Sequence, residues 1–411
     1  MKLKFLNRIL YKIKIIKIAK ILRINPHFFF DFLIFHFSKL FRANVNNKLI
    51  ILGAANGKAF IGNPKYLYYY LKENTDYDLI WLTKSNILIK ELRSKGIKCA
   101  KIYSLEAIRL LRKARAVFVS HGWGDILPIK FAPRTVVVQT WHGGFIKVKG
   151  KHSYVSKYIN SKWTTLTRTN IRYEQFFDYA ISASSDMKIL KITSEVFKFP
   201  IKKILVIGYP RNDILFSNDP KLVEKIRRDF NIPDSIERII LYAPTYRELS
   251  NVREPFSNED LSNINILCKN TNTYFLIKAH INEKIIKFRK RENIRLISKV
   301  ADIQELLLIS NILISDYSSV MCDYILLDRP ILLYTYDYED YIKHRGIYYE
   351  NLEDIAPGPL LFTVDELINA IIKIDEIYEE YKSKVQDVRD FFNNFKDGNS
   401  SKRLLKFLKL I

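Results

Sequence analysis

The sequence predicts an α/β protein with two successive sheets of parallel strands. Short apolar segments alternate with helical segments from Asn46 onward, and the same alternation starts again near residue 236. This pattern is typical of parallel sheets that carry helices on both faces. At 411 residues the chain is too long for one ordinary core. We therefore expect two domains of about 150 to 200 residues each.

The strands predicted in the first half cover residues 48–53, 78–83, 116–120, 135–140, 178–184 and 203–207. Asn63-Pro64 opens a helix over residues 64–71. The first strand runs into Gly53-Ala54-Ala55-Asn56-Gly57, which lacks the third glycine of a dinucleotide fingerprint. We therefore predict no NAD site there.

One of these strands ends in residues suited to chemistry. The β-branched run Thr135 to Thr140 stops at Trp141-His142-Gly143-Gly144. Ligands of open α/β sheets bind beyond the carboxyl ends of the strands. There, a neutral His142 can take a proton from a hydroxyl, and the glycines let backbone N–H groups approach an anion. The competing interpretation is a tight turn with a surface histidine.

In the second half, strands are predicted over residues 238–242, 273–278, 311–315 and 331–334, with a helix over 320–327 and a mostly helical segment from residue 364. Three of these strands end in polar residues that are capable of reaction. The ends are Ala243-Pro244-Thr245-Tyr246-Arg247, Ala279-His280 and Asp316-Tyr317-Ser318-Ser319. This repetition predicts a second group of binding residues.

Two motifs are candidates for phosphate binding. Arg211 lies in the turn Gly208-Tyr209-Pro210-Arg211-Asn212-Asp213, where it suits bidentate contact with a phosphate, although a solvated arginine also fits. Ser318 and Ser319 begin a helix and can bind an anion, with simple N-capping as the alternative. Asp323, one turn further on, is placed to orient a ribose or polyol hydroxyl.

The composition points to an anionic partner. The chain has 67 Lys and Arg against 43 Asp and Glu, a formal charge of +24, although a lysine-rich composition explains part of the excess. No zinc-finger or RRM signature is present, so we predict no nucleic-acid partner. Cys99, Cys268 and Cys322 lie far apart and outside any zinc-site spacing, so we expect no disulfides, which fits a reducing cytosol. No acidic cluster has metal-ligand spacing, so we predict no metal and no cofactor, with a magnesium ion that bridges substrate phosphates as the alternative.

The amino-terminal segment, residues 1 to about 45, is both basic and apolar. Its apolar residues fall partly on one helical face, and the aromatic run His27 to Phe37 is too short to cross a bilayer. We predict that the segment lies on an anionic membrane surface. A helix packed on the protein's own core is the alternative.

Taken together, these motifs resemble the CDP-glycerol glycerophosphotransferase family, which builds the polyol-phosphate polymers of teichoic acids and capsules. The resemblance runs over roughly residues 48 to 405. Its marks are Gly62-Asn63-Pro64-Lys65, Gln139-Thr140-Trp141-His142-Gly143, Gly208-Tyr209-Pro210-Arg211-Asn212-Asp213, Tyr242-Ala243-Pro244-Thr245-Tyr246-Arg247, Ser315-Asp316-Tyr317-Ser318-Ser319-Val320-Met321 with Asp323, Asp328-Arg329-Pro330, and Arg345-Gly346.

The resemblance implies a GT-B architecture, with two Rossmann-like domains facing each other across a cleft. We expect the membrane-associating segment at 1–45, an acceptor domain with the catalytic histidine at 46–215, a CDP-polyol donor domain at 216–385, and a carboxyl-terminal helix at 386–411 that crosses back to the acceptor domain. The expected activity is transfer of a polyol phosphate, glycerol phosphate above all, from a CDP-polyol to a lipid-linked or polymeric acceptor. CMP is released, at the cytoplasmic face of the membrane.

The resemblance also implies roles for single residues. His142 resembles the catalytic base, and His280 the second active-site histidine. Expected to bind substrate are Trp141, Gly143, Arg211, Pro244, Thr245, Lys278, Ser318, Ser319 and Asp323.

The chain departs from the family pattern at Gly144-Phe145, where the family has threonine and proline, and at Ala279 and Ile281 around His280. We also expect no counterpart of the large amino-terminal extension that some polymerases carry. A GT-B glycosyltransferase that uses a nucleotide sugar is the alternative function.

Overall fold

The computed structural model describes residues 33–41, 44–146, 177–197, 199–245, 247, 254–278, 291–298 and 301–411. It confirms an α/β protein with two parallel sheets. The contacts divide the chain into two compact units. The first holds the described parts of Met1–Phe60, Leu67–Trp141 and Ser156–Ala180, and the second those of Ile61–Tyr66, His142–Val155 and Ile181–Ile411.

The larger sheet has the strand order β3-β2-β1-β4-β5-β6-β7 within the described residues. Its strands are β1 (Leu49–Gly53), β2 (Asp78–Thr83), β3 (Cys99–Lys101), β4 (Ala116–Val119), β5 (Val136–Gln139), β6 (Tyr179–Ser182) and β7 (Ile204–Val206). The accompanying helices are α1 (Gly62–Asn74), α2 (Asn86–Ser94), α3 (Leu105–Lys113) and α4 (Met187–Phe197). Ser85 and Ser104 cap α2 and α3 by accepting backbone N–H groups.

The smaller sheet has the order β10-β9-β8-β11-β12-β13 within the same described part of the chain. Its strands are β8 (Arg238–Tyr242), β9 (Thr273–Lys278), β10 (Ile294–Ile297), β11 (Ile312–Ser315), β12 (Ile331–Tyr334) and β13 (Leu360–Leu361). Its helices are α5 (Pro220–Asp229), α6 (Asn258–Asn270), α7 (Ile303–Ile309), α8 (Val320–Tyr324), α9 (Tyr338–His344), α10 (Val364–Ile372), α11 (Ile374–Phe392) and α12 (Ser400–Phe407).

In both sheets the sequence order of the strands reverses at the third strand, which is β1 in the larger sheet and β8 in the smaller one. In the larger sheet β1 pairs with β2 on one side and β4 on the other, and in the smaller sheet β8 lies between β9 and β11. Ligands of such sheets bind outside the carboxyl ends of the strands at this point of reversal. The residues that follow β8 and β11 are therefore placed where a ligand site is expected.

The described part of the predicted membrane segment packs on the protein itself. Residues 33–38 are helical, Ser38 Oγ accepts the Lys130 N–H at 3.2 Å, and the Arg112 guanidinium donates to the Phe41 carbonyl at 2.8 Å. These contacts match the alternative interpretation for residues 33–41, while residues 1–32 and 42–43 lie outside the described residues. No helix in the described ranges is long and apolar enough to cross a membrane.

The carboxyl-terminal helices pack on the segment that contains β6 and β7. The Asp213 carboxylate accepts the backbone N–H groups of Ser400 and Ser401, both at 2.8 Å, at the start of α12. Asn394 N–H donates to the Ala183 carbonyl at 2.9 Å. Asp213 therefore joins the turn after β7 to the last helix.

Candidate active site

The second unit gathers several of the predicted site residues around β8 and β11. Thr245, after β8, donates its N–H to Asp316 Oδ1 at 2.8 Å, and Asp316 follows β11. Arg247 contacts Asp316 Oδ2 at 2.8 Å and Asp337 Oδ2 at 2.7 Å. Burial opposes the charge on Arg247, but the two carboxylates raise its pKa above the ordinary value. Arg247 thereby fixes the turn that carries Thr245.

Arg247 is also enclosed by three tyrosines, and sequence reasoning missed this arrangement. Its guanidinium lies 5.3, 5.7 and 5.2 Å from the ring centroids of Tyr317, Tyr336 and Tyr341. Tyr317 and Tyr341 stack with their centroids 3.7 Å apart. The position of Arg247 in a motif shared with the family was the available signal.

Backbone strain marks the residue before His142. Trp141 has φ of 58°, a left-handed conformation that is unusual for a bulky residue, and its N–H donates to the Gln139 side chain at 3.1 Å. Strain of this kind persists only where the surroundings hold it and is concentrated at functional sites. The turn therefore directs the chain from β5 into His142, which is half-buried.

The two glycines after His142 allow a close approach to α8. A Cβ added at Gly143 would lie 2.3 Å from Ser319 Oγ, and one at Gly144 would lie 2.7 Å from Cys322 Sγ. Neither distance leaves room for a side chain. Gly143, which follows the predicted base His142, is therefore in direct contact with the predicted phosphate ligand Ser319.

The α8 start is not explained by capping at Ser319. Ser319 makes no side-chain cap hydrogen bond, and the Val320 N–H reaches Ser318 Oγ only at 3.4 Å. The predicted helix over 320–327 is an α-helix of five residues that continues as a 3-10 turn, Ile325–Leu327. A helix of five residues provides little macrodipole, so the start of this helix does not by itself make an anion site.

Arg211 and Asp323, both predicted to bind substrate, pair with each other. Arg211 Nη2 lies 2.7 Å from Asp323 Oδ2, and both side chains are almost fully buried. Asn212 and Gln304 also donate to the Asp323 carboxylate, at 3.0 and 3.2 Å. Burial opposes the Arg211 charge, and Asp323 holds its pKa above the ordinary value. The pair forms part of the interior beside α8.

The motif Gly62-Asn63-Pro64-Lys65 also belongs to the second unit. Asn63 Oδ1 accepts the Arg211 N–H at 3.0 Å, and Lys65 Nζ lies 2.9 Å from Asp302 and 2.6 Å from Glu305. Lys65 and Asp302 are buried. This motif therefore supports the Arg211 turn.

The remaining site residues are placed as follows. Lys278 ends β9 and is half-buried, Pro244 precedes Thr245, and Thr245 is 3% exposed, with no hydrogen-bond partner for its hydroxyl among the described residues. His280 lies outside the described residues. Within the described ranges, no three His, Cys, Asp or Glu side chains are grouped as metal ligands would be.

Comparison with known proteins gives a consistent assignment. Residues 34–410 match the family described as CDP-glycerol:poly(glycerophosphate) glycerophosphotransferase. The chain is 34% identical to a teichoic acid poly(glycerol phosphate) polymerase of Bacillus spizizenii, covering 88% of this chain and 92% of the relative. It is 29% identical to a teichoic acid glycerol-phosphate transferase of Staphylococcus aureus, covering 89% and 94%.

Another relative is much longer than the matched region. The chain spans 50% of the teichoic acid poly(glycerol phosphate) polymerase of Staphylococcus epidermidis, at 29% identity and 87% coverage of this chain. A variant of the wall teichoic acid polymerase TagF has a similar structure, with a TM-score of 0.77, 26% identity, and coverage of 100% of this chain and 98% of that one. The chain therefore belongs to the CDP-glycerol:poly(glycerophosphate) glycerophosphotransferase family and is a transferase.

Proposed function

We propose that the protein transfers glycerol phosphate from CDP-glycerol to a hydroxyl of a lipid-linked or polymeric acceptor and releases CMP. The observation that carries this proposal is the contact of the Gly143-Gly144 turn with Ser319 and Cys322 of α8, in a member of this family. It brings the predicted base and a predicted phosphate ligand close together. The names of the relatives support glycerol phosphate as the transferred unit, and TagF has also been solved after a soak with CDPG.

The mechanism is an in-line displacement at the phosphorus that carries the glycerol. His142 removes the proton from the acceptor hydroxyl, whose oxygen attacks this phosphorus, and CMP departs with the electrons of the broken P–O bond. Phosphoryl transfer of this kind needs positioning and neutralisation of charge more than covalent participation by the protein. The hydroxyls of Ser318, Ser319 and Thr245, with the ammonium of Lys278, supply hydrogen bonds to the diphosphate.

We assign Arg211 and Asp323 a positioning role in this mechanism. They form an ion pair with each other, and both side chains are buried. They hold the turn after β7 against α8 and so keep Ser319 in place. His280 remains a proposed second active-site histidine, and Trp141 and Gly143 are proposed to line the substrate site.

His142→Ala tests the assignment of the base. We expect turnover to fall by about 10² to 10⁴, with CMP release measured from CDP-glycerol and a soluble acceptor analogue. His36→Ala is the matched control, because this exposed histidine lies far from the proposed site in sequence. Near-normal turnover of His142→Ala would remove the imidazole from that role.

Product mass identifies the transferred unit. The purified protein is mixed with the acceptor analogue and with CDP-glycerol, CDP-ribitol or a UDP-sugar in turn. We expect an increment of glycerol phosphate and release of CMP. UDP release with a sugar increment would instead favour a GT-B glycosyltransferase, since a fold alone does not determine the substrate.

We further propose the GT-B arrangement of two Rossmann-like domains and peripheral attachment to the cytoplasmic face of the membrane. The parallel sheets support the former, and two observations support the latter. The formal charge is +24, and Phe37 and Leu40 expose 44% and 78% of their surfaces on either side of Lys39. Exposed apolar side chains beside a basic one are suited to an anionic lipid surface.

The attachment is tested with vesicles of phosphatidylglycerol and of phosphatidylcholine. We expect binding to the anionic vesicles only, and loss of most of it when residues 1–32 are removed and Phe37 and Leu40 are replaced by serine. Residues 38–41 should be retained, because Ser38 and Phe41 contact the first unit. Vesicle binding that is unchanged by these substitutions contradicts the attachment.

A further inference from the structure

We propose that the second compact unit holds both the base and the ligands of the donor phosphates, so that the enzyme slowly hydrolyses its CDP-polyol when no acceptor is present. This inference rests on the proposed function and adds a second activity to it. The argument depends on how residues 142–146, which we call the His142 loop, are held.

The His142 loop lies against the first turn of α8. An added Cβ at Gly143 would approach Ser319 Oγ to 2.3 Å, and one at Gly144 would approach Cys322 Sγ to 2.7 Å and Cys322 Cβ to 3.3 Å. Ordinary contacts begin near 3.4 Å. The backbone of the loop therefore lies directly against the side chains of Ser319 and Cys322, with no loop side chain between them.

The far end of the loop is fixed by packing and by a backbone hydrogen bond. Phe145 is 1% exposed and makes edge contacts with Phe197 and Tyr348, at centroid distances of 6.3 and 6.4 Å. The Ile146 carbonyl accepts the Tyr348 N–H at 2.9 Å. Burial of a large aromatic side chain favours this position of the loop, because it removes apolar surface from water.

All of these partners belong to the same compact unit as the loop. Thr245, Lys278, Ser318 and Ser319, the proposed donor ligands, belong to it as well. The geometry between the base and the donor phosphates is therefore set within one unit. The acceptor contributes only the attacking hydroxyl, and water supplies the same functional group when the acceptor is absent.

The hydrolysis is balanced with water as the second substrate. A water oxygen forms a bond to the phosphorus that carries the polyol, and His142 takes the water proton. The P–O bond to the CMP phosphate breaks, and its electron pair leaves with CMP. The products are CMP and the free polyol phosphate. A proton is then released from His142 to solvent, which restores the base.

The first test incubates the full-length protein with CDP-glycerol alone and measures CMP and glycerol phosphate. We expect release of both in equal amounts, faster by about 10² or more for the wild type than for His142→Ala. The same preparation is assayed for transfer to an acceptor analogue. Transfer without hydrolysis, or hydrolysis that is equally fast in His142→Ala, overturns this inference and leaves the proposed function standing. Failure of both reactions with CDP-glycerol contradicts the proposed function itself.

The second test examines the contact between the His142 loop and α8 with two substitutions, the second of which should compensate for the first. Gly144→Ala places a methyl group 2.7 Å from Cys322 Sγ, so one side must move by about 0.7 Å to reach ordinary contact. We expect this shift to lower the turnover of both reactions by up to about 10²-fold, since displacements near 1 Å can have that effect. Cys322→Ala in the same chain removes the sulfur and leaves a contact at 3.3 Å.

The double variant should therefore recover at least about tenfold in turnover over Gly144→Ala. Melting temperature and CDP-glycerol binding are measured for every variant, because a general loss of folding would lower both. If the double variant is no more active than Gly144→Ala while folding and donor binding are retained, the contact with Cys322 does not position His142, and this inference is overturned.

Discussion

The buried ion pair between Arg211 and Asp323 allows a sharp prediction for Asp323→Asn. Asparagine keeps the shape of the side chain but removes the charge and one acceptor oxygen. In the wild type the two carboxylate oxygens receive Arg211 Nη2 at 2.7 Å and 2.9 Å, Asn212 Nδ2 at 3.0 Å and Gln304 Nε2 at 3.2 Å. The new NH₂ group would face at least one of these donors.

The expected cost follows from the position of the pair. The Arg211 and Asp323 side chains are 5% and 3% exposed, so the remaining guanidinium is left buried without its counter-charge. Removing one member of such a pair costs about 3 to 5 kcal/mol. At about 2 to 4 °C for each kcal/mol, the melting temperature should fall by about 10 °C.

Thermal unfolding followed by circular dichroism measures this effect. The matched control is Arg211→Met combined with Asp323→Leu, which removes both charges and should be less destabilised than Asp323→Asn alone. The alternative is that Arg211 serves mainly as a phosphate ligand. In that case Asp323→Asn would raise the KM for CDP-glycerol but lower the melting temperature by less than about 2 °C, and this result would refute the positioning role.

Two further predictions concern carboxylates outside the proposed site. Asp125 accepts backbone N–H groups from Asn56, Ser120 and His121, and burial raises its pKa from 3.8 to about 6. The folded state therefore retains a proton that the unfolded chain releases, so the free energy of unfolding should fall by up to about 3 kcal/mol as pH rises through this window. Urea unfolding of the wild type and of Asp125→Asn at several pH values checks this prediction. The same change of unfolding free energy with pH in both proteins contradicts it. Asp213→Asn should cost about 1 kcal/mol by weakening the cap on α12, and should speed proteolysis near the carboxyl terminus. Unchanged proteolysis would show that the helix is held by other contacts.

Strand positions were predictable because buried parallel strands are short, continuous runs of apolar residues in the sequence. The predicted strands agree with the structure to within two residues, and β2, β8, β9 and β12 match at both ends. The strands β3 and β13 were missed because Cys99–Lys101 and Leu360–Leu361 are too short for a periodic pattern. The strand β10 (Ile294–Ile297) was missed because Arg295 interrupts its apolar run and only its two ends are buried.

The structure shows a close approach at Gly144 that the sequence could not reveal. A glycine after a histidine is equally consistent with a turn, a bulge or a close approach. Only the folded chain shows that the atom opposing Gly144 is Cys322 Sγ, 178 positions later in the sequence. The sequence indicates only that Cys322 lies far from the other cysteines. Its steric role opposite Gly144 has no sequence signature.

The turn after β7 shows the limit of assigning function from a shared motif. Its three consecutive polar residues all bond within the protein: Arg211 and Asn212 both donate to Asp323, Asn212 also accepts from Gln304 at 2.7 Å, and Asp213 caps α12. A turn with Arg, Asn and Asp predicts ligand binding and structural bridging equally well, because both need the same groups. Arg211 is buried with its counter-charge Asp323, although its Nε–H has no hydrogen-bond partner among the described residues. Ser319, which has no capping role, and the buried Thr245 hydroxyl carry no such ion pair, and we regard them as the stronger candidates for contact with the donor.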